Sequence, residues 1–232
     1  MRKIMMAAFA LVLLVGAVLF LNLGGIVKTT IETAGSQVLG TAVRVHGLDI
    51  SLSDKQAAMS GLSIANPDGF KSKALLTTKN ISVALGDVRR NLVIIKDITV
   101  DGMTVTYELG PRGSNFDVIR KNLKAATVTM PASPSKAASG TDRAKVVIQK
   151  LRIVNARIIP AVSGLKTSVT LPEMIVTNIG SPGNPATPRQ VAAEVMDKVL
   201  ATSSAVMAAS GPGTPADTLK SKIRDKFKAL FK

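Results

Sequence analysis

Residues 4–23, IMMAAFALVLLVGAVLFLNL, run for 20 positions without a charged side chain. At about 1.5 Å per residue, a helix of that length crosses roughly the 30 Å hydrocarbon layer of a bilayer. No other feature limits the fold so strongly, because a helix that is apolar all round has no face to turn to water. Residues 1–25 are therefore expected to form a transmembrane anchor, with Ile4, Phe9, Leu13, Leu14, Phe20 and Leu23 among the lipid-facing side chains. Two rivals fit less well. The apolar region of a cleaved secretory signal is shorter and ends at a small-x-small site, and no clean A-x-A follows here. A buried core helix would normally keep a polar stripe. Arg2 and Lys3 precede the run, which places the short N-terminus in the cytoplasm and sends the remainder across, despite Lys28 on the far side. The expected topology is a single crossing, with the C-terminal domain on the far side of the membrane.

Beyond the run the chain changes character. Residues 26–39 carry apolar side chains at helical spacing (Val27, Ile31, Ala34, Val38) and stop at Gly40. The period then becomes two, as in a half-buried strand, and slips by one at glycines. Val43 and Val45 give way to Leu48, Ile50 and Leu52 across Gly47. Ala57 and Met59 give way to Leu62 and Ile64 across Gly61, and Ile98 and Val100 to Met103, Val105 and Tyr107 across Gly102. A slip at glycine inside an alternating strand marks a bulge or bend, and three of them imply bends of one curved sheet. Asn66-Pro67-Asp68-Gly69 is a turn, residues 71–77 read as helical or irregular, and residues 92–95 as a short apolar run.

Ser114 is placed to cap a helix that carries Val118, Ile119 and Leu123 on one face. Residues 127–142 are rich in Pro, Ala and Ser and read as a linker. Strand patterns resume at Val146, Ile148, Leu151, Ile153 and Ile158, with two shorter strands at residues 168–171 and 174–179. Pro188 opens a helix of about five turns on Val191, Val195, Met196, Val199, Leu200 and Val206. The divisions are thus residues 1–25, 26–126, 127–142, 143–210 and 211–232, the last a linker with a basic amphipathic helix. The fold class is α+β and strand-dominated: a curved antiparallel sheet with flanking helices behind the anchor.

Chemistry is sparse. There are no cysteines, one histidine (His46) and one tyrosine (Tyr107), which excludes disulfides, thiolate metal sites and cysteine nucleophiles. No phosphate loop, dinucleotide fingerprint, zinc-protease or calcium-loop motif is present, so no catalytic, cofactor or metal residue is nominated and the chain reads as a non-enzyme. His46 beside Gly47 is read as a bend residue, and Asp97, Asp101 and Glu108 as the wet face of a sheet. Thirty basic against fifteen acidic residues, a formal charge of +15, favour anionic partners. Aromatic residues make up only 3% of the chain, which removes the stacking platform that single-stranded nucleic acid needs. The C-terminal segment sets Leu219, Ile223, Phe227, Leu230 and Phe231 against Lys220, Lys222, Arg224, Lys226, Lys228 and Lys232. That arrangement fits either a helix lying on anionic lipid or one that packs back on the sheet.

The order of parts resembles the N-terminal segment of AsmA-like proteins over residues 1–123. The likeness is carried by VLGTAVRVHGLDISL, by Gly61-Leu62 with Asn66-Pro67-Asp68-Gly69-Phe70, and by Asp101-Gly102 followed by Gly113-Ser114-Asn115. The resemblance implies an inner-membrane-anchored periplasmic protein with a taco-shaped antiparallel sheet, apolar within its groove, and a role in lipid binding and transport or outer-membrane and envelope assembly. Phospholipid is the implied ligand. The competing expectation is a structural scaffold with a closed core and no bound lipid. About 190 residues after the first helix allow some ten strands, or roughly 50 Å of sheet at about 4.8 Å per strand.

Overall fold

The computed structural model describes residues 23–89, 91–111, 113–128, 145–161 and 168–209. The protein is a strand-rich α+β fold with curved, open, mixed sheets and, among the described residues, three helices. Helix α1 (Leu23–Leu39) leads into strands β1 (Val43–Val45), β2 (Leu48–Ser51), β3 (Gln56–Met59), β4 (Leu62–Ala65), β5 (Ala74–Thr77), β6 (Asn80–Arg89), β7 (Leu92–Asp101) and β8 (Thr104–Tyr107). A short hairpin, β9 (Leu109–Gly110) with β10 (Gly113–Ser114), precedes helix α2 (Asn115–Val128). Strands β11 (Lys145–Val154), β12 (Arg157–Pro160), β13 (Val169–Thr170) and β14 (Met174–Ile179) follow, and helix α3 (Pro188–Ala209) ends the described chain.

Two six-stranded sheets result, ordered β1-β4-β5-β8-β12-β13 and β14-β11-β7-β6-β3-β2. Each lane of one sheet continues into the same lane of the other: β1 into β2, β3 into β4, β5 into β6, β7 into β8, β11 into β12 and β13 into β14. The architecture is therefore six lanes bent at one level. Backbone hydrogen bonds carry the ladder across the bend, among them His46 N–H to Gly61 O (3.0 Å), Thr78 N–H to Leu62 O (2.9 Å), Gly102 N–H to Val154 O (3.2 Å) and Leu171 N–H to Ala156 O (2.8 Å). Gly102 makes its turn at φ +66°, in the left-handed region that a Cβ disfavours. At Asn155, φ +52°, the bend is made by the residue type that tolerates this region best after glycine.

Side-chain alternation then separates the two faces. In one sheet Val43, Ile64, Leu76, Val105, Ile158 and Val169 lie in register across all six lanes, while their neighbours Arg44, Ser63, Thr77, Thr104, Arg157 and Thr170 form a polar row on the opposite face. In the other sheet Leu48, Met59, Ile81, Val100, Ile153 and Met174 form the matching apolar row. Both apolar faces feed one hydrophobic cluster, which the helices complete with Val38 and Leu39 of α1, Phe116, Ile119 and Leu123 of α2, and Met196, Val199, Leu200 and Val206 of α3. The helices therefore occupy the inner side of the bend. Phe116, wholly buried, stands edge-on to Tyr107 at 5.1 Å between ring centroids.

The structure corrects several expectations. The sheet is not all antiparallel: β7 pairs β11 and β8 pairs β12 in parallel, with helix α2 between these lanes in sequence, as a parallel pairing needs a crossover rather than a tight turn. The width is six lanes, about 29 Å at 4.8 Å per strand, since each bend makes one lane count twice in sequence. Residues 74–77 form strand β5, and Leu92 to Ile95 belong to the ten-residue strand β7. Among the described residues no helix is long and apolar enough to cross a membrane. The anchor residues Ile4, Phe9, Leu13, Leu14 and Phe20 and the linker residues 129–142 lie outside the described residues, as do Lys220, Lys222, Arg224, Lys226, Phe227, Lys228 and Phe231; Leu23 is the first residue of α1.

Candidate functional site: the inner face of the bent sheet

The helices cover the inner face unevenly. Helix α1 runs antiparallel to β1 and β2: Ser36 Oγ accepts from Val43 N–H (2.9 Å), Glu32 Oε1 accepts from Val45 N–H (2.8 Å), and a Cβ at Gly24 would stand 3.0 Å from Leu48 O. Two outward donors of an edge strand are thus occupied, which blunts that edge against pairing. The described helix reaches only as far as Leu48 along this lane. On the other side α3 lies against β14 and α1.

The consequence shows in one row of residues in register, Ile50, Ala57, Val83, Ile98, Leu151 and Val176. Leu151 and Val176 are 4% and 5% exposed, while Ile50, Ala57 and Val83 are only partly buried and lie outside the core cluster. The row passes from closed core at β14 to an open apolar patch over β2, β3 and β6. A half-buried apolar strip of this kind is where an apolar ligand would gain most from leaving water.

The far end of the sheet is locked instead by a buried polar node. Glu108 is 6% exposed, and its carboxylate accepts from Lys71 N–H (2.6 Å), Ser72 N–H (2.9 Å) and Asn66 Nδ2 (3.0 Å). Asn115, fully buried, accepts at Oδ1 from Glu108 N–H (3.0 Å) and donates from Nδ2 to Asn66 Oδ1 and Thr106 O, both at 2.8 Å. Burial alone would raise the Glu108 pKa, but the donors at Ser72, Lys71 and Asn66 outweigh it and hold the carboxyl below its ordinary value. The expectation that Glu108 sits on a wet face is therefore wrong. It follows the last residue of β8 and turns inward to close the Asn66-Pro67-Asp68-Gly69 turn. Ser114 caps α2 as expected: its N–H and Oγ donate to Asp117 Oδ2 at 2.9 and 2.6 Å, and Asp117 N–H donates back to Ser114 Oγ at 3.2 Å. The Ser114 hydroxyl and N–H hold the Asp117 carboxyl below its usual range against a smaller opposing effect of burial, with Arg120 adding to the depression.

The structure places Gly47, Gly61 and Gly102 between paired strands at the level of the bend. His46 is exposed there, its imidazole close to Gly61. Asp97 and Asp101 are partly exposed; Asp97 lies 3.9 Å from Arg152 Nε, and Asp101 accepts from Asn155 Nδ2 at 2.7 Å. The sequence left the joining of Asn66, Glu108 and Asn115 unseen, although two short motifs, Asn66-Pro67-Asp68-Gly69 and Gly113-Ser114-Asn115, each offered an asparagine. A cleft of about 790 Å³ between α2, α3 and the loop before α3 is lined by Arg120, Lys124, Glu194 and Asp197 among others. Its charges are of both signs, and Arg120 is already committed to Leu200 O and Ser204 Oγ. Among the described residues no group of three His, Cys, Asp or Glu side chains is placed to hold a metal ion.

No family model, curated protein or solved structure matches the chain.

Proposed function

We propose that this is a membrane-anchored, non-catalytic periplasmic protein, similar in kind to AsmA-like proteins, that takes phospholipid acyl chains on the inner face of its bent sheet. In this reading residues 4–23 span the inner membrane once, and the protein serves lipid movement or outer-membrane and envelope assembly. The supporting observation is the graded row from Val176 to Ile50, buried at one edge and half open over β2, β3 and β6. Residues 1–22 join at the end of α1 that lies beside the open side, at Leu48. An acyl chain leaving the bilayer near the anchor would then meet apolar surface without crossing the polar outer rows.

Native mass spectrometry of the full chain extracted from membranes tests this: bound phospholipid is expected, and a chain free of every lipid under gentle extraction overturns it. A second reading, a scaffold with a closed core, draws on the helices that already fill the bend. Phe116, Ile119, Val105 and Ile158 are each wholly buried there. Under that reading α2 and α3 close the sheet and no lipid enters.

A further inference from the structure

We propose that the tips of the β2–β3 and β6–β7 hairpins form a surface that rests on an anionic bilayer. The two tips lie together, since Leu85 N–H donates to Lys55 O at 2.8 Å. Between them is a depression of about 460 Å³ lined by Leu52, Lys55, Leu85, Asp87, Val88 and Arg89. Val88 is 50% exposed, and Leu52 beside it is only partly buried. Lys55 and Arg89 flank them, both exposed. The acidic residues at this end have partners of their own: the Asp54 carboxylate accepts from Ser51 Oγ at 2.5 Å, and Asp87 lies 3.6 Å from Arg89. Apolar side chains with a lysine and an arginine beside them suit the boundary between acyl chains and anionic headgroups.

Position favours the bilayer as the occupant. Helix α1 runs antiparallel to the first lane, so the 22 residues before it, most of them uncharged and apolar, join on the side of the bend that carries these tips. Leu52 is four residues beyond Leu48, about 13 Å along the strand. The other strongly exposed apolar tip, Leu109 at 60%, is at the opposite end of the β7–β8 lane. With 16 residues from Leu92 to Tyr107 the lane is about 53 Å in contour length. The proposal rests on the reading of residues 4–23 as a membrane span.

The chain has no cysteine, so single substitutions carry a label cleanly. The full chain would be placed in nanodiscs of mixed anionic and zwitterionic phospholipid, bearing an environment-sensitive fluorophore at Val88→Cys, Leu109→Cys or Phe9→Cys, with spin-labelled lipid as the quencher. Quenching at Val88→Cys is expected to exceed that at Leu109→Cys by about two-fold or more. Adding Lys55→Glu with Arg89→Glu should reduce it in anionic discs and leave it unchanged in purely zwitterionic ones. Strong quenching at Phe9→Cys with none at Val88→Cys overturns the proposal while the anchor stands. No quenching at either position overturns both. Equal or greater quenching at Leu109→Cys refutes the orientation, and a charge reversal without effect in anionic discs refutes the anionic contact.

Discussion

Replacing Glu108 with Gln removes the charge at the centre of the far-end node while keeping its shape. The carboxylate holds Lys71 N–H on Oε1 and both Ser72 N–H and Asn66 Nδ2 on Oε2. A glutamine has one acceptor oxygen to offer, so at least one donor faces an NH2 group. An unsatisfied covered donor costs about 1–3 kcal/mol, and hydrogen bonds to a charged acceptor contribute about 1.5–3 kcal/mol each. The node lies just under the surface, where water recovers part of that loss, so Glu108→Gln is expected to cost about 2–4 kcal/mol at pH 7 in urea unfolding. The sign with pH follows from the depressed pKa. The stabilisation is complete above the ordinary glutamate value of 4.5 and is lost as pH falls through the lower folded value, where the native carboxylate takes up a proton. The variant has nothing to titrate at this site, so the gap between the two proteins should narrow as the medium is acidified through that window. A loss under about 0.5 kcal/mol at pH 7, typical of an uninvolved surface site, or a gap that widens in acid, would refute the reasoning.

Three further substitutions probe other parts of the account. Gly180→Ala places a Cβ 2.7 Å from Ala186 N and 2.9 Å from Val146 O at φ +72°, so backbone must move; a loss of about 2–4 kcal/mol is expected by urea or thermal unfolding. Ile158→Ala, at a wholly buried position, should cost about 2–5 kcal/mol, whereas Ile175→Ala, at 43% exposure, should stay within about 0.5 kcal/mol in the same assay. His46→Gln, exposed at the bend, should leave stability within about 0.5 kcal/mol and lipid content by mass spectrometry unchanged; loss of a function at this position would reopen a catalytic reading.

Much of the fold was legible because its signals are local. The α1 and α3 stripes, the Ser114 cap and the phase slips at Gly47, Gly61 and Gly102 all lie within a few residues of the positions they specify. What was missed depends on distant partners. Strand β5 holds Leu75 and Leu76 side by side, both buried, so it has no alternation to read. Between β6 and β7, Ala84 pairs with Asp97 and Leu85 with Ile95, which leaves Lys96 of β7 as an extra residue; Ile95 and Ile98 then both pack on the core although three apart. The parallel pairing of β7 with β11 joins strands more than 50 residues apart in sequence, and neither strand alone encodes its direction. Glu108 reads as one more polar residue after an alternating strand until the turn at Asn66, 42 residues earlier, is folded over it.

Photo-cross-linking in living cells addresses the open inner face itself. A photoreactive side chain placed at Ile50 or Val83, on the half-open row, is expected to capture phospholipid, while the same group at Asp49 or Ser82, one residue away on the polar face, captures none. Lipid adducts absent at all four positions, or equal on both faces, would contradict an acyl chain held in the crook of this sheet.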